Sequence, residues 1–145
     1  PIPLTNKENI FQEMNEGQFV EGGALNSFGE KFDFEGKEFK PTMKYNLLGT
    51  TINYFLENSI LDIPDYIKID VDGIEHLILE GGDKFLNDKK VKSLSIEINE
   101  NFKEQYFSTL KIMEENNFKI KSKKRSENFY TSKKFKNTFN YIFEK

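Results

Sequence analysis

The sequence has no cysteine and no tryptophan, one alanine (Ala24), one histidine (His76) and one arginine (Arg125). Each shortage closes off some chemistry. Without cysteine there is neither a disulfide framework nor a thiolate metal site, which fits a reducing compartment. A lone histidine argues against a histidine-based metal centre. No apolar run approaches the roughly 18 residues of a membrane helix, and no basic-then-apolar amino terminus marks a signal peptide. The expectation is a cytoplasmic chain with no membrane partner. It opens on Pro1 rather than Met, and a preceding portion is expected.

The 145 residues include 15 Phe and 6 Tyr. That is the length of one domain, able to bury about 68–70% of its extended surface, with a core rich in β-branched and aromatic side chains. Lysine dominates the basic residues while Asn and Ile abound, a composition that reads as codon bias of an AT-rich genome, so lysine counts carry little functional weight. The net charge of −3 is unevenly spread. Lys119, Lys121, Lys123, Lys124, Arg125, Lys133, Lys134 and Lys136 face Glu127 alone. They alternate with apolar residues in a hairpin pattern and no aromatic-basic recognition motif accompanies them, so a solvated face is expected and no nucleic-acid partner.

Periodicity places a short helix over Ile52, Phe55 and Leu56, capped by Thr50 or Thr51 and ended by Asn58-Ser59. Tyr66 to Val71 and Val91 to Ile98 read as buried strands, separated by a helix from Ile74 to Leu86 that breaks at Gly81-Gly82. Phe102 to Asn116 reads as a helix, and Phe118 to Lys124 with Thr138 to Phe143 as two antiparallel strands. Residues 1–48 read as an irregular excursion of short strands and turns. The fold class is therefore α/β, one domain with a strand-helix-strand core over residues 49–145, and such crossovers place parallel strands in a sheet covered on both faces.

The stretch "YIKIDVDGIEHLILEGG" ends an apolar strand on Asp70-Val71-Asp72-Gly73 and starts a helix with Glu75 and His76. Ligands of open α/β sheets bind at the carboxyl ends of the strands, where Asp70, Asp72, Glu97 and Asn99 all fall. A carboxylate at a partly buried strand end needs a partner, a ligand or a proton. Local roles compete with functional ones: Asp70 could cap the helix or pair with Lys68, and Glu75 in the first turn suits the helix dipole. His76 reads as a surface or cleft-edge residue, with general base as the lesser alternative.

An EF-hand calcium loop is excluded by spacing, because Gly73 directly follows the second aspartate and Glu75 comes too soon. An Asp70-x-Asp72 pair holding a divalent metal and a sugar nucleotide, as in a glycosyltransferase, remains possible. So does a non-catalytic interaction module. The ordered stretch "TTINYFLENSILDIPDYIKIDVDGIEHLILEGGDKFL" followed by "VKSLSIEIN" resembles the C-terminal half of the FkbM family of S-adenosylmethionine-dependent methyltransferases. Departures from that family are Asp72 for the usual Glu and Ile74 for the usual Ala, with His76 at a variable position.

The resemblance implies a Rossmann-like sheet to which this chain contributes the last four strands, ending in an antiparallel hairpin. It implies S-adenosylmethionine as cofactor and O-methylation of a sugar or similar small hydroxylated acceptor. Asp70 would face the cofactor or acceptor, Asp72 and Glu75 would join it as catalytic residues on the acceptor side, and His76, Glu97 and Asn99 would bind substrate, with no metal. No glycine-rich turn after a first strand accompanies them in these residues; Gly22-Gly23 is not followed by a helical pattern. The chain alone is therefore expected to be inactive, and the bare outer edge of the Tyr66 to Val71 strand to favour a homo-oligomer.

Overall fold

The computed structural model describes residues 2–17, 24–125 and 132–145. Gly22-Gly23 and Glu127 lie outside them. Among the described residues the chain builds two sheets. In the first, β1 (Ile10–Glu16), β2 (Ser27–Phe28) and β3 (Met43–Gly49) run antiparallel in the order β2-β1-β3. β1 and β3 pair continuously from Ile10 opposite Gly49 to Glu16 opposite Met43. The described residues before Leu48 are thus more regular than the sequence suggests. The reason lies in an inverted polarity pattern: Phe11 and Leu48, opposite one another, are exposed, whereas Asn15 and Glu16 are buried. Alternation read from such a strand points to no clear inner face.

The second sheet contains β4 (Tyr66–Ile69), β5 (Ser93–Asn99), β6 (Lys119–Lys124) and β7 (Thr138–Glu144) in the order β4-β5-β7-β6. β4 and β5 are parallel, and β7 is antiparallel to both of its neighbours. This is a mixed α/β fold with a terminal antiparallel hairpin. Among the described residues four helices complete it: α1 (Ile52–Glu57), α2 (Glu75–Glu80), α3 (Asp83–Leu86) and α4 (Lys103–Glu115). Thr51 caps α1, its hydroxyl accepting from the Tyr54 N–H at 3.0 Å. Gly81 separates α2 from α3 at a point where a Cβ would lie 2.2 Å from the Thr5 carbonyl oxygen, so glycine lets the amino-terminal segment pass.

The core forms where one face of this sheet meets α2, α3 and α4. Leu94, Ile96 and Ile98 of β5 are wholly inaccessible and lie with Leu79, Leu86, Met113 and Phe143 in one cluster. Each such side chain contributes about 1.5–3 kcal/mol by leaving water. The opposite face corrects an expectation. Ser93, Ser95 and Glu97 are only half-buried, and Lys68 is exposed, so β4 and β5 are not covered on both faces. The alternation of β5, apolar on Leu94, Ile96 and Ile98 and polar between them, is that of a one-sided strand. β4 is an edge strand whose outer side pairs with no other strand among the described residues, and Tyr66 on it is 71% exposed.

Candidate functional site

β4 stops at Ile69, and the next five residues, Asp70 to Ile74, turn the chain into α2. Asp72 has φ 35°, a left-handed conformation that Asp tolerates better than most residues, and Gly73 has φ 112°. A Cβ at Gly73 would also sit 3.0 Å from the Phe34 Cα, so glycine is required there twice over. The turn separates the two aspartates. Asp70 takes the ammonium of Lys68 at 2.7 Å, while Asp72 Oδ2 accepts the Leu25 N–H at 2.5 Å. Asp70 does not cap α2, which begins on Ile74 without a side-chain cap.

Glu75 points back beneath the turn, 1% exposed. Its Oε1 accepts the Val71 N–H at 3.0 Å and its Oε2 accepts from the Gln105 amide. Gln105, on α4 and equally buried, accepts the Asn99 N–H at 2.8 Å through its own oxygen. Asn99 then donates from Nδ2 to the Phe34 carbonyl at 3.1 Å. A continuous chain of hydrogen bonds therefore ties the ends of β4 and β5 to α4 and to the Asp33–Gly36 turn. Gln105 and Phe34 were not legible as site residues. For Gln105 a signal exists: it shares helical spacing with Thr109 and Met113, all three buried, and a polar residue on an inward helix face needs a partner.

His76 is not at the surface or the cleft edge. It is 2% exposed, with its ring edge-to-face against Phe102 at 5.9 Å and its Nδ1 without a hydrogen-bond partner. Burial pushes its pKa down, against the opposing pull of Glu80 and Glu104. It follows Glu75 into the contact of α2 with α4 because the first residues of the helix are buried there, a depth that sequence spacing does not report. Among the described residues it lines neither of the hollows next to the carboxylates.

Those hollows meet at Asp72. The larger is a cavity of about 540 Å³ between the first sheet and the end of β4, walled by apolar groups such as Leu4, Met14, Phe28, Leu47 and Ile78, with Asp70 and Asp72 in its lining. The smaller hollow, about 10 Å³ and so with room for no more than about one water, is lined by Phe34, Asp72, Gly73, Glu75, Glu97 and Asn99, with Gln105 and Thr138. Glu97 stands beside it on β5. Burial, then the nearby charges of Asp70 and Asp72, raise its pKa to about 7 against the counter-pull of Lys68. Asp72 is also raised by burial, partly offset by the backbone N–H groups of Leu25 and Asn26. Glu75 is raised to about 8, burial outweighing the donors around it.

These shifts carry a sign. Glu75 and Glu97 hold their protons more tightly in the folded than in the unfolded chain, so the stability they contribute is complete below the ordinary value of 4.5 and is lost as pH rises through about 7 and about 8. Glu75 dominates, at roughly a few kcal/mol, because the exposure of Glu97 screens its share. The expected result is a thermal midpoint that falls from mildly acid to alkaline pH in calorimetry. A midpoint rising across that window would mean that the hydrogen-bond donors around Glu75 outweigh its burial.

Among the described residues no group of three or more His, Asp or Glu is arranged to hold a metal ion. Asp70 and Asp72 are committed instead to different partners, an ammonium and backbone N–H groups. Neither the curated proteins nor the solved structures include a significant match to the chain. The family model described as the methyltransferase FkbM domain matches residues 45–120, running from within β3 to within β6 and taking in both strand ends, Glu75 and Gln105. That match spans more than half of the sequence and agrees with the order of motifs around Asp70, and the chain belongs to the FkbM methyltransferase domain family.

Proposed function

We propose that the carboxyl ends of β4 and β5 form the acceptor side of an S-adenosylmethionine-dependent O-methyltransferase site. The observation that carries this reading is the meeting, at Asp72, of an apolar cavity with a half-buried carboxylate whose pKa lies near neutrality. The order β4-β5-β7-β6, with β7 antiparallel, also suits a Rossmann-like methyltransferase sheet. S-adenosylmethionine carries a sulfonium cation between an adenosine and a short methylene arm that ends in a charged amino-acid group. A cavity of about 540 Å³ has room for part of such a molecule, its apolar walls suit the methylene arm, and Asp70 in its lining, which it shares with the Lys68 ammonium, would lie toward the sulfonium. Asp70 would hold the cofactor, which when bound supplies an electrophilic methyl group.

The chain's own residues then have separable tasks. Glu97 takes the proton of the acceptor hydroxyl; a base that titrates near the working pH combines an available lone pair with useful proton affinity. Asp72, anchored by the Leu25 and Asn26 N–H groups, orients the acceptor at the junction of the two hollows. Glu75 keeps the Asp70–Gly73 turn in place through the Val71 N–H, since reactant alignment is most of what methyl transfer asks of a protein. The test is methyl transfer by the protein expressed from its complete reading frame, with radiolabelled S-adenosylmethionine and a panel of sugars and polyols. Label in an acceptor is the expected outcome. Transfer of a glycosyl group from a nucleotide sugar with Mn²⁺, and no methyl transfer, would replace this reading with a glycosyltransferase.

A further inference from the structure

The hydroxyl acceptor itself can be narrowed, on the strength of the site proposed above. The segment leading into β7 returns over the strand ends because β7 starts with Thr138 paired to Asn99. It sets Phe135 against Phe34, ring centroids 5.1 Å apart, so that the wall of the small cleft continues outward as an aromatic pair. The ammonium of Lys134 lies over both rings, 5.0 Å from the centre of Phe34 and 5.5 Å from that of Phe135. Lys134 is exposed and forms no ion pair among the described residues.

The two lysines near the carboxylates differ in this respect. Lys68 is neutralised by Asp70 at 2.7 Å, whereas Lys134 is held by ring faces and keeps its charge available. A cation resting on aromatic rings is stabilised without losing its ability to donate three hydrogen bonds outward. Lys134 is close enough to Asp72 to lower that residue's pKa, so its field reaches the junction where the acceptor hydroxyl would lie. A neutral acceptor would leave the ammonium idle. A cationic one would be repelled by it.

We infer that the acceptor is a small hydroxylated molecule bearing an anionic group, a carboxylate or a phosphate, whose charge is taken by Lys134 while its ring or carbon skeleton lies along Phe34 and Phe135. The carboxylates of the site then face the hydroxyl of the molecule, and its anion lies at the Lys134 ammonium over Phe34 and Phe135. That division lets a site rich in Asp and Glu accept an anion without opposing it.

The experiment compares three probes of the same ring size: glucuronate, glucose and glucosamine. Each is titrated into protein with ¹³C-labelled phenylalanine while the ring signals of Phe34 and Phe135 are followed by NMR, without cofactor. Glucuronate should shift both signals at the lowest concentration, and added salt should weaken it. Lys134→Gln should weaken glucuronate roughly tenfold, the scale of a charge-assisted hydrogen bond, and leave glucose unchanged, with Lys134→Arg restoring most of the loss. Tighter binding of glucose or glucosamine, no response to glucuronate, or glucuronate binding indifferent to Lys134→Gln would each overturn the inference. Because no methyl donor is present, such a failure leaves the methyltransferase reading standing. Failure of methyl transfer beside intact glucuronate binding would sink that reading alone.

Discussion

Gln105→Leu is expected to lower the stability of the folded chain by about 2–6 kcal/mol, counting about 1–3 kcal/mol for each of the two buried groups left without its partner. Leucine fills nearly the same space, so no large cavity confuses the outcome. What disappears is a donor and an acceptor at once. The Asn99 N–H loses the oxygen it meets at 2.8 Å, and the Glu75 carboxyl, 1% exposed, loses the side-chain donor it has from Gln105. Against a typical total of about 5–15 kcal/mol, that is a large fraction. Urea unfolding should show it as a lowered midpoint with little change in slope. A second variant separates hydrogen bonding from packing. In Gln105→Glu the new carboxyl can accept from Asn99 and share a hydrogen bond with Glu75 only while one of the two carries a proton, so it should approach wild type in acid and fall away steeply as pH rises. A pH-independent loss in that variant would show that packing, rather than the hydrogen-bond chain, fixes the site.

The same residue shows how far the sequence could be read. Helix α4 was legible from the spacing of Tyr106, Leu110 and Met113, and its observed span, Lys103–Glu115, follows that pattern. The cap at Thr51, the break at Gly81-Gly82 and the strand-helix-strand order are local features that near neighbours in sequence dictate, and they stand as expected. The gathering of Asp70, Asp72, Glu97 and Asn99 at two strand ends followed from parallel pairing alone. The inward aim of Gln105 depended on contacts thirty residues away in Glu75, and the place of Phe34 on contacts with Gly73 and Asn99, which no period in the sequence records. His76 was misplaced for a related reason. Its depth is set by how α2 meets Phe102 at the start of α4, and a single histidine between Glu75 and Leu77 looks the same in sequence whether the helix start is sunk or exposed. The β1–β3 ladder was hidden because its buried positions include Asn15 and Glu16, stabilised by bonds such as that from Asn15 Nδ2 to the Glu30 carbonyl rather than by apolar contact.

In the protein expressed from its complete reading frame, Glu97→Gln is expected to reduce methyl transfer by roughly 10²–10⁴-fold, the range of a positioned acid-base group, while the thermal midpoint stays level or rises. The opposite directions are the point of the variant. Glu97 is half-buried and opposed by Asp70 and Asp72, so its charge is a liability to folding that glutamine of the same shape relieves. A residue kept for stability would give the reverse pair of results. The pH profile adds a second readout: in wild type kcat/KM should rise with pH through about 7 as Glu97 loses its proton, and that limb should vanish in the glutamine variant. Asp70→Asn should act differently. It removes one of the charges that hold the Glu97 pKa up and frees Lys68, which pulls it down, so the acid limb should move to lower pH. Its rate should still fall by roughly 10²-fold, because the carboxylate proposed to face the sulfonium is gone. If Asp70→Asn moves the limb without reducing the plateau rate, Asp70 serves only to tune Glu97. If both variants turn over as wild type does, the base is neither of them, and Asp72 is the carboxylate left at the junction of the cavity and the cleft.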